Sequence, residues 1–167
     1  MKKILSLMLA LTMIGTILTG CGSKDAATKT PAENTQQTAP VQQEQSQTEK
    51  ALALINTFAT GDTATARSLL ADGYIQHNLA YGTGADAFIG SVEYLASADV
   101  KTTVNNIRAF EVGDKVFLQT IYNFAGAGEQ VAFDIFRFDE NGKIAEHWDV
   151  METIADQSTW QNENGKF

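Results

Sequence analysis

The chain has 167 residues, with 12 basic and 20 acidic side chains, a net charge of −8, 44% hydrophobic residues and one cysteine. Such a negative balance excludes nucleic acid and anionic lipid headgroups as electrostatic partners, since both need a basic surface. A single cysteine excludes an internal disulfide.

Lys2 and Lys3 precede an apolar run from Ile4 to Leu18, which ends in Leu18-Thr19-Gly20-Cys21. A positive head, a short apolar stretch and small residues at a cut site describe a secretory signal. The run is shorter than the ~20 residues a stable membrane span needs. The tetrad resembles the lipobox of bacterial lipoproteins, in which the cysteine is lipidated and becomes the new N-terminus. That resemblance implies a signal peptide over residues 1–20 and lipidation (palmitate included) at Cys21. It places the protein on the membrane through a lipid anchor, at the extracytoplasmic face. An ordinary signal peptide with a chance cysteine is the alternative. Removing residues 1–20 takes two lysines and no acid, leaving a net charge of −10.

Gly22 to Gln47 is mostly Ala, Thr, Gln, Glu, Ser and Lys, with Pro31 and Pro40 and no aromatic residue. Such a segment cannot bury enough apolar area to offset its ordering entropy. With Cys21 it is expected to be a disordered tether, residues 21–47, holding a domain over 48–167 roughly 25–30 Å from the anchor.

Within that domain Ala51, Leu54, Ile55 and Phe58 recur at helical spacing, and Gly61 stops the helix. Asp62 or Thr63 caps a second helix with Ala66, Leu69 and Leu70 inward, ended by Gly73. Phe88, Ile89, Val92, Leu95 and Ala96 give a third. Tyr74–Leu79 reads as a short strand between the last two helices. After residue 100 the period changes to two. Lys101–Val112, Lys115–Ala125, Glu129–Phe138 and Lys143–Met151 read as a meander, with Asn141-Gly142 as a tight-hairpin signal. Helices first and a long antiparallel sheet after mean α+β.

Alternation along strands sorts the side chains by face. Asp134, Phe136 and Phe138 share one face of their strand, and Phe133, Ile135 and Arg137 the other. Ala145, His147, Asp149 and Met151 share a face, opposite Ile144, Glu146, Trp148 and Val150. A two-residue turn sets Asp134 opposite Asp149, whereas a four-residue loop sets it opposite His147. Both registers bring Asp134, His147 and Asp149 to one face among phenylalanines. Ile75, His77 and Leu79 share a face, so His77 is expected to point into the same space. Two carboxylates and a histidine in an apolar setting are candidates for acid–base work. A structural pair between Asp134 and Arg108 is the plainer alternative. A metal held by His77, His147 and a carboxylate finds no support in tight ligand spacing, and no cofactor is expected. Phe133, Ile135 and Trp148 read as packing or as the surface of a homodimer.

The segment Asp134–Val150 resembles the C-terminal hairpin of SnoaL-like proteins, in the nuclear transport factor 2-like superfamily. Tyr74-Ile75-Gln76-His77-Asn78 is similar to a strand of the same group, as is the ending Asn164-Gly165-Lys166-Phe167. The resemblance covers residues 48–167. It implies a cone-shaped (cystatin-like) α+β fold: three N-terminal helices packed on a curved, mostly antiparallel sheet around a pocket. It also implies kinship with polyketide cyclases, ketosteroid isomerases and limonene epoxide hydrolases, whose pocket aspartate commonly acts as acid or base. Asp149 matches that aspartate, with His147 and Asp134 as catalytic partners, and His77, Phe136 and Phe138 as ligand-binding residues. Two functions follow. One is a cofactor-independent enzyme that abstracts a proton next to a carbonyl of a small apolar molecule, of isomerase, aldol cyclase or dehydratase type. The other is a non-catalytic extracytoplasmic lipoprotein that binds a small apolar or amphipathic ligand.

Overall fold

The computed structural model describes residues 45–167; the expected signal peptide, Cys21 and nearly all of the tether lie outside them. The first helix, α1, spans Gln47–Thr60 and starts one residue ahead of the expected domain boundary. Ser46 explains the start. Its side chain accepts from the Glu49 N–H, and the Glu49 carboxylate accepts from the Ser46 N–H, a reciprocal capping box. Helix α1 buries Ala51, Leu54 and Ile55, and burying an aliphatic side chain is worth ~1.5–3 kcal/mol.

Asp62 caps α2 (Thr63–Leu69) through the Thr65 N–H at 2.9 Å. This helix is shorter than its spacing predicts: Leu70 already opens β1 (Leu70–Gln76), and Gly73 lies inside the strand. Helix α3 (Ala85–Ser97) buries Phe88, Ile89, Val92 and Leu95, while Ala96, expected inward, is exposed. The meander follows as β2 (Thr103–Val112), β3 (Lys115–Asn123), β4 (Gln130–Phe138) and β5 (Ile144–Thr153).

The strand order is β1-β5-β4-β3-β2, with β1 parallel to β5 and the other pairs antiparallel. The helices pack on one face of the sheet, and the core joins Leu54, Ile55, Phe88 and Val92 to Leu118 and Phe136. No helix among the described residues is long and apolar enough to cross a membrane.

The β4–β5 hairpin settles the register. Asp134 pairs with Asp149 and Phe136 with His147, the register expected of a two-residue turn. It is reached by a different route. The turn runs through Asp139–Gly142, closed by the Gly142 N–H on the Asp139 carbonyl at 3.0 Å, with Gly142 at φ +69°. Asp139 Oδ1 also accepts from the Asn141 and Lys143 N–H groups. A bulge then absorbs Ala145, which restores the pairing at Glu146 and turns Ile144, expected outward, into the core.

Candidate active site

Between the helices and the concave sheet face lies a cavity of about 700 Å³. Its walls are mainly aromatic. Phe58 contacts Phe88 at 4.9 Å and Phe124 at 5.7 Å between ring centroids, and Tyr122 stacks on Phe124 at 4.9 Å. Its floor is polar, formed by Gln76 from β1, Asp134 from β4, and His147 and Asp149 from β5.

Strand pairing builds this floor. Asp134 and Asp149 are cross-strand partners, and His147 stands opposite Phe136 and stacks on it at 4.4 Å with 7° between ring planes. His147 Nε2 lies 3.1 Å from Asp134 Oδ1 and 3.9 Å from Asp149 Oδ2. The Tyr122 hydroxyl donates to Asp134 Oδ2 at 3.0 Å. Asp134 therefore pairs with Tyr122 and His147 and not with Arg108, which is exposed.

Asp149 has a different environment. Asn78 Nδ2 donates to its Oδ1 at 2.6 Å. Among the described residues no donor reaches Oδ2 within hydrogen-bonding distance, although the side chain is only 6% exposed. Burial pushes the Asp149 carboxyl above its ordinary value of 3.8; Asp134 adds to the rise, while the His147 ring and the Asn78 hydrogen bond oppose it. Burial also raises the Tyr74 and Tyr122 hydroxyls, so both stay protonated at neutral pH.

The expected site is thus assembled for Asp134, His147, Asp149 and Phe136. Two expectations fail. Phe138 shares the inner face with Asp134 and Phe136 but does not line the cavity, because at the hairpin end of its strand it pairs with Ile144 and is packed into the core. His77 points to the outer sheet face. It stacks on Trp148 at 4.4 Å and pairs with Glu146 at 3.0 Å. The cause is the register of β1, where an irregularity between Leu70 and Ile75 sets Gln76 opposite His147. Tyr74 and Gln76 then face the pocket, and Ile75 and His77 face away. Sequence reasoning missed Tyr74, Gln76, Asn78 and Tyr122, although the polar–apolar alternation of Tyr74-Ile75-Gln76-His77-Asn78 carries one of the two possible phases.

Asp134, His147 and Asp149 each offer a ligand atom within 4.8 Å of the others, a spacing that would suit a cation. Both Asp134 oxygens and both His147 nitrogens are already engaged in hydrogen bonds. The arrangement reads as a hydrogen-bonded network with one open carboxylate oxygen. It can take a proton from an apolar ligand in the cavity, or hold the polar end of one.

A family model described as a SnoaL-like domain matches residues 51–147. No curated protein matches the sequence. Among solved structures, an NTF2-like protein of unknown function from Cytophaga hutchinsonii is similar. It has a TM-score of 0.57 and 16% identity, covering 67% of this chain and 95% of that one. An LEH-like epoxide hydrolase of Mycobacterium tuberculosis has a TM-score of 0.56 and 16% identity, covering 64% and 82%. IdmH from Streptomyces antibioticus, a candidate polyketide cyclase, has a TM-score of 0.52 and 18% identity, covering 65% and 93%. Likeness at such identities establishes the fold alone.

Proposed function

The chain belongs to the SnoaL-like family, and from that premise we propose that its pocket serves a cofactor-independent enzyme that moves a proton next to a carbonyl of a small apolar molecule. The observation that carries this reading is Asp149. Its Oδ1 is held by Asn78, its Oδ2 opens on an aromatic cavity without a donor, and burial makes its charged form costly. Such a carboxylate is a stronger base than one in water. It would take the proton from a carbon next to the carbonyl and return it to another carbon. Alternatively, the enolate carbon would add to a second carbonyl of the same molecule, and the proton held by Asp149 would pass to the alkoxide that forms. Tyr74 lines the same cavity and stays protonated, and its hydroxyl accepts from Gln76 Nε2 at 3.3 Å. That leaves the Tyr74 proton free to stabilise the developing oxyanion.

The lipobox-like tetrad ending at Cys21 supports a place of action at the outer face of the cytoplasmic membrane. It also favours the second reading, a lipoprotein that binds an apolar or amphipathic molecule without turning it over. The two readings separate in one experiment. The protein is screened for turnover against small ketones, enones and epoxides, and every hit is repeated with Asp149→Asn. The enzyme reading expects a loss of about 10²–10⁴ in rate, the usual worth of a general base. Full activity in the variant would remove Asp149 from the mechanism. Saturable binding with no turnover in the parent would favour the binding reading.

A further inference from the structure

Gln76 is the residue of the pocket floor whose hydrogen bonds all have a fixed direction. The Asn78 backbone N–H reaches Gln76 Oε1 at 2.9 Å. A backbone N–H only donates, so the amide oxygen must face it and the NH₂ must face the other way. Gln76 Nε2 lies 3.0 Å from His147 Nδ1 and 3.3 Å from the Tyr74 oxygen. An NH₂ group only donates, so Nδ1 must present its lone pair. A neutral imidazole carries one N–H, which therefore sits on Nε2. That nitrogen is 3.1 Å from Asp134 Oδ1 but 3.9 Å from Asp149 Oδ2.

We propose that Gln76 is a positioning residue that fixes His147 as its Nε2–H tautomer and commits that proton to Asp134, leaving Asp149 as the proton-exchanging group of the floor. The direction starts at one backbone N–H and propagates through two side chains. Asp134 then receives donors at both oxygens, from His147 and from the Tyr122 hydroxyl. The titratable groups around the His147 ring are Asp134 on β4, Tyr122 on β3, Tyr74 on β1 and Asp149 on β5 itself. A second proton on Nδ1 would be driven against the Gln76 NH₂. Relieving that contact by turning the amide would set the same NH₂ against the Asn78 N–H. His147 is thus an orienting donor, and two neighbouring aspartates receive separate tasks, one a fixed acceptor and the other an open base. The catalytic half of this statement rests on the function proposed above; the tautomer does not.

The test needs no substrate. The chain holds only two histidines, so the full chain labelled with ¹⁵N at histidine gives two ring systems in two-bond ¹H–¹⁵N correlation spectra. His77→Gln assigns them. At pH 7 His147 is expected to show an unprotonated Nδ1 and a protonated Nε2. Gln76→Glu replaces a donor by an acceptor, and the unprotonated-nitrogen signal of His147 should vanish. Asp149→Asn should leave the His147 pattern as it is. An Nδ1–H tautomer or an imidazolium in the parent protein would overturn the proposal. So would an unchanged pattern in Gln76→Glu, or a switched one in Asp149→Asn. If Gln76→Glu fails to fold, the parent spectrum decides alone. A failed substrate screen leaves this measurement untouched, so the tautomer and the enzymatic reading stand or fall separately.

Discussion

Asp149 is the residue at which stability and chemistry pull apart. Its carboxyl is raised in the folded protein, chiefly by burial. A raised carboxyl contributes stability while protonated, below its unfolded value near 3.8, and loses it as pH rises through the folded value. At neutral pH the charged group is therefore a cost to folding. Asp149→Asn should raise the neutral-pH unfolding free energy, within the about 0.5–2 kcal/mol that a single stabilising substitution commonly gives. The gain should disappear below pH 3.8, and denaturant titrations at pH 7 and pH 3 check it. Lower stability of the variant at pH 7 would contradict the account. At this scale the sequence was legible for Asp134, His147 and Asp149, because parity on a strand assigns faces whatever the register. It was not legible for His77. Parity gives two phases, and the irregularity between Leu70 and Ile75 chooses between them; Gly73 lies within it, and a glycine inside a strand often marks a bulge, but its spacing reads equally as the stop of α2.

At the scale of elements, helices α1 and α3 meet at a glycine. Gly61 ends α1 in the left-handed conformation at φ +74°, and its N–H bonds to the Thr57 carbonyl at 2.8 Å. A Cβ placed there would lie 2.8 Å from the Ala96 Cβ of α3. Gly61→Ala should thus be penalised twice, by left-handed backbone strain of about 1–2 kcal/mol and by overpacking of about 1–3 kcal/mol. Urea titration should show a lower midpoint with an unchanged slope. A loss of only about 1–2 kcal/mol would mean that α3 moves aside and backbone strain alone remains, and a loss under about 0.5 kcal/mol would contradict both penalties. Gly61 was readable as a stop signal, but the second reason for glycine there, the approach of α3, was not. The end of α2 was misread for a related cause. Leu70 fits the apolar period of a helix equally well, and pairing with Ile144 on β5 draws it into the sheet.

At the scale of the whole molecule, the outer sheet face carries an apolar set. Phe110, Phe117, Phe133 and Val150 are exposed on it, and the His77 ring covers one side of Trp148. Part of this face is held by the chain's own end, where Gln119 Nε2 donates to the Lys166 carbonyl at 2.7 Å and Lys166 pairs with Glu152. The remaining patch is of a kind that usually marks an interaction surface. A homodimer through Phe133, Ile135 and Trp148 is expected. Light scattering should give twice the monomer mass, and Phe133→Asp should halve it without changing the circular dichroism. A monomeric parent protein at high concentration would refute the dimer. For the N-terminal end, Cys21→Ala should release the protein or leave an unprocessed precursor. Mass spectrometry of the mature N-terminus checks this, and an unmodified Cys21 would refute the anchor.

The sequence by itself determined the α+β class, the three helices and all five strands, the first of them placed four residues late, because apolar period and turn residues are local properties. It also determined that Asp134, His147 and Asp149 share a face, since alternation along a strand needs no partner. Tertiary structure alone decided which side of β1 looks inward, that Ile144 joins the core, and that Phe138 is packing while Tyr74 and Gln76 are floor. The β1 outcomes depend on pairing with β5, distant in sequence, and the place of Ile144 depends on the bulge at Ala145; a shift of a residue or a few reverses which face a side chain takes. The direction of the hydrogen bonds from the Asn78 backbone N–H through Gln76 and His147 to Asp134 belongs there too, because this chain exists only once three side chains from three strands have met.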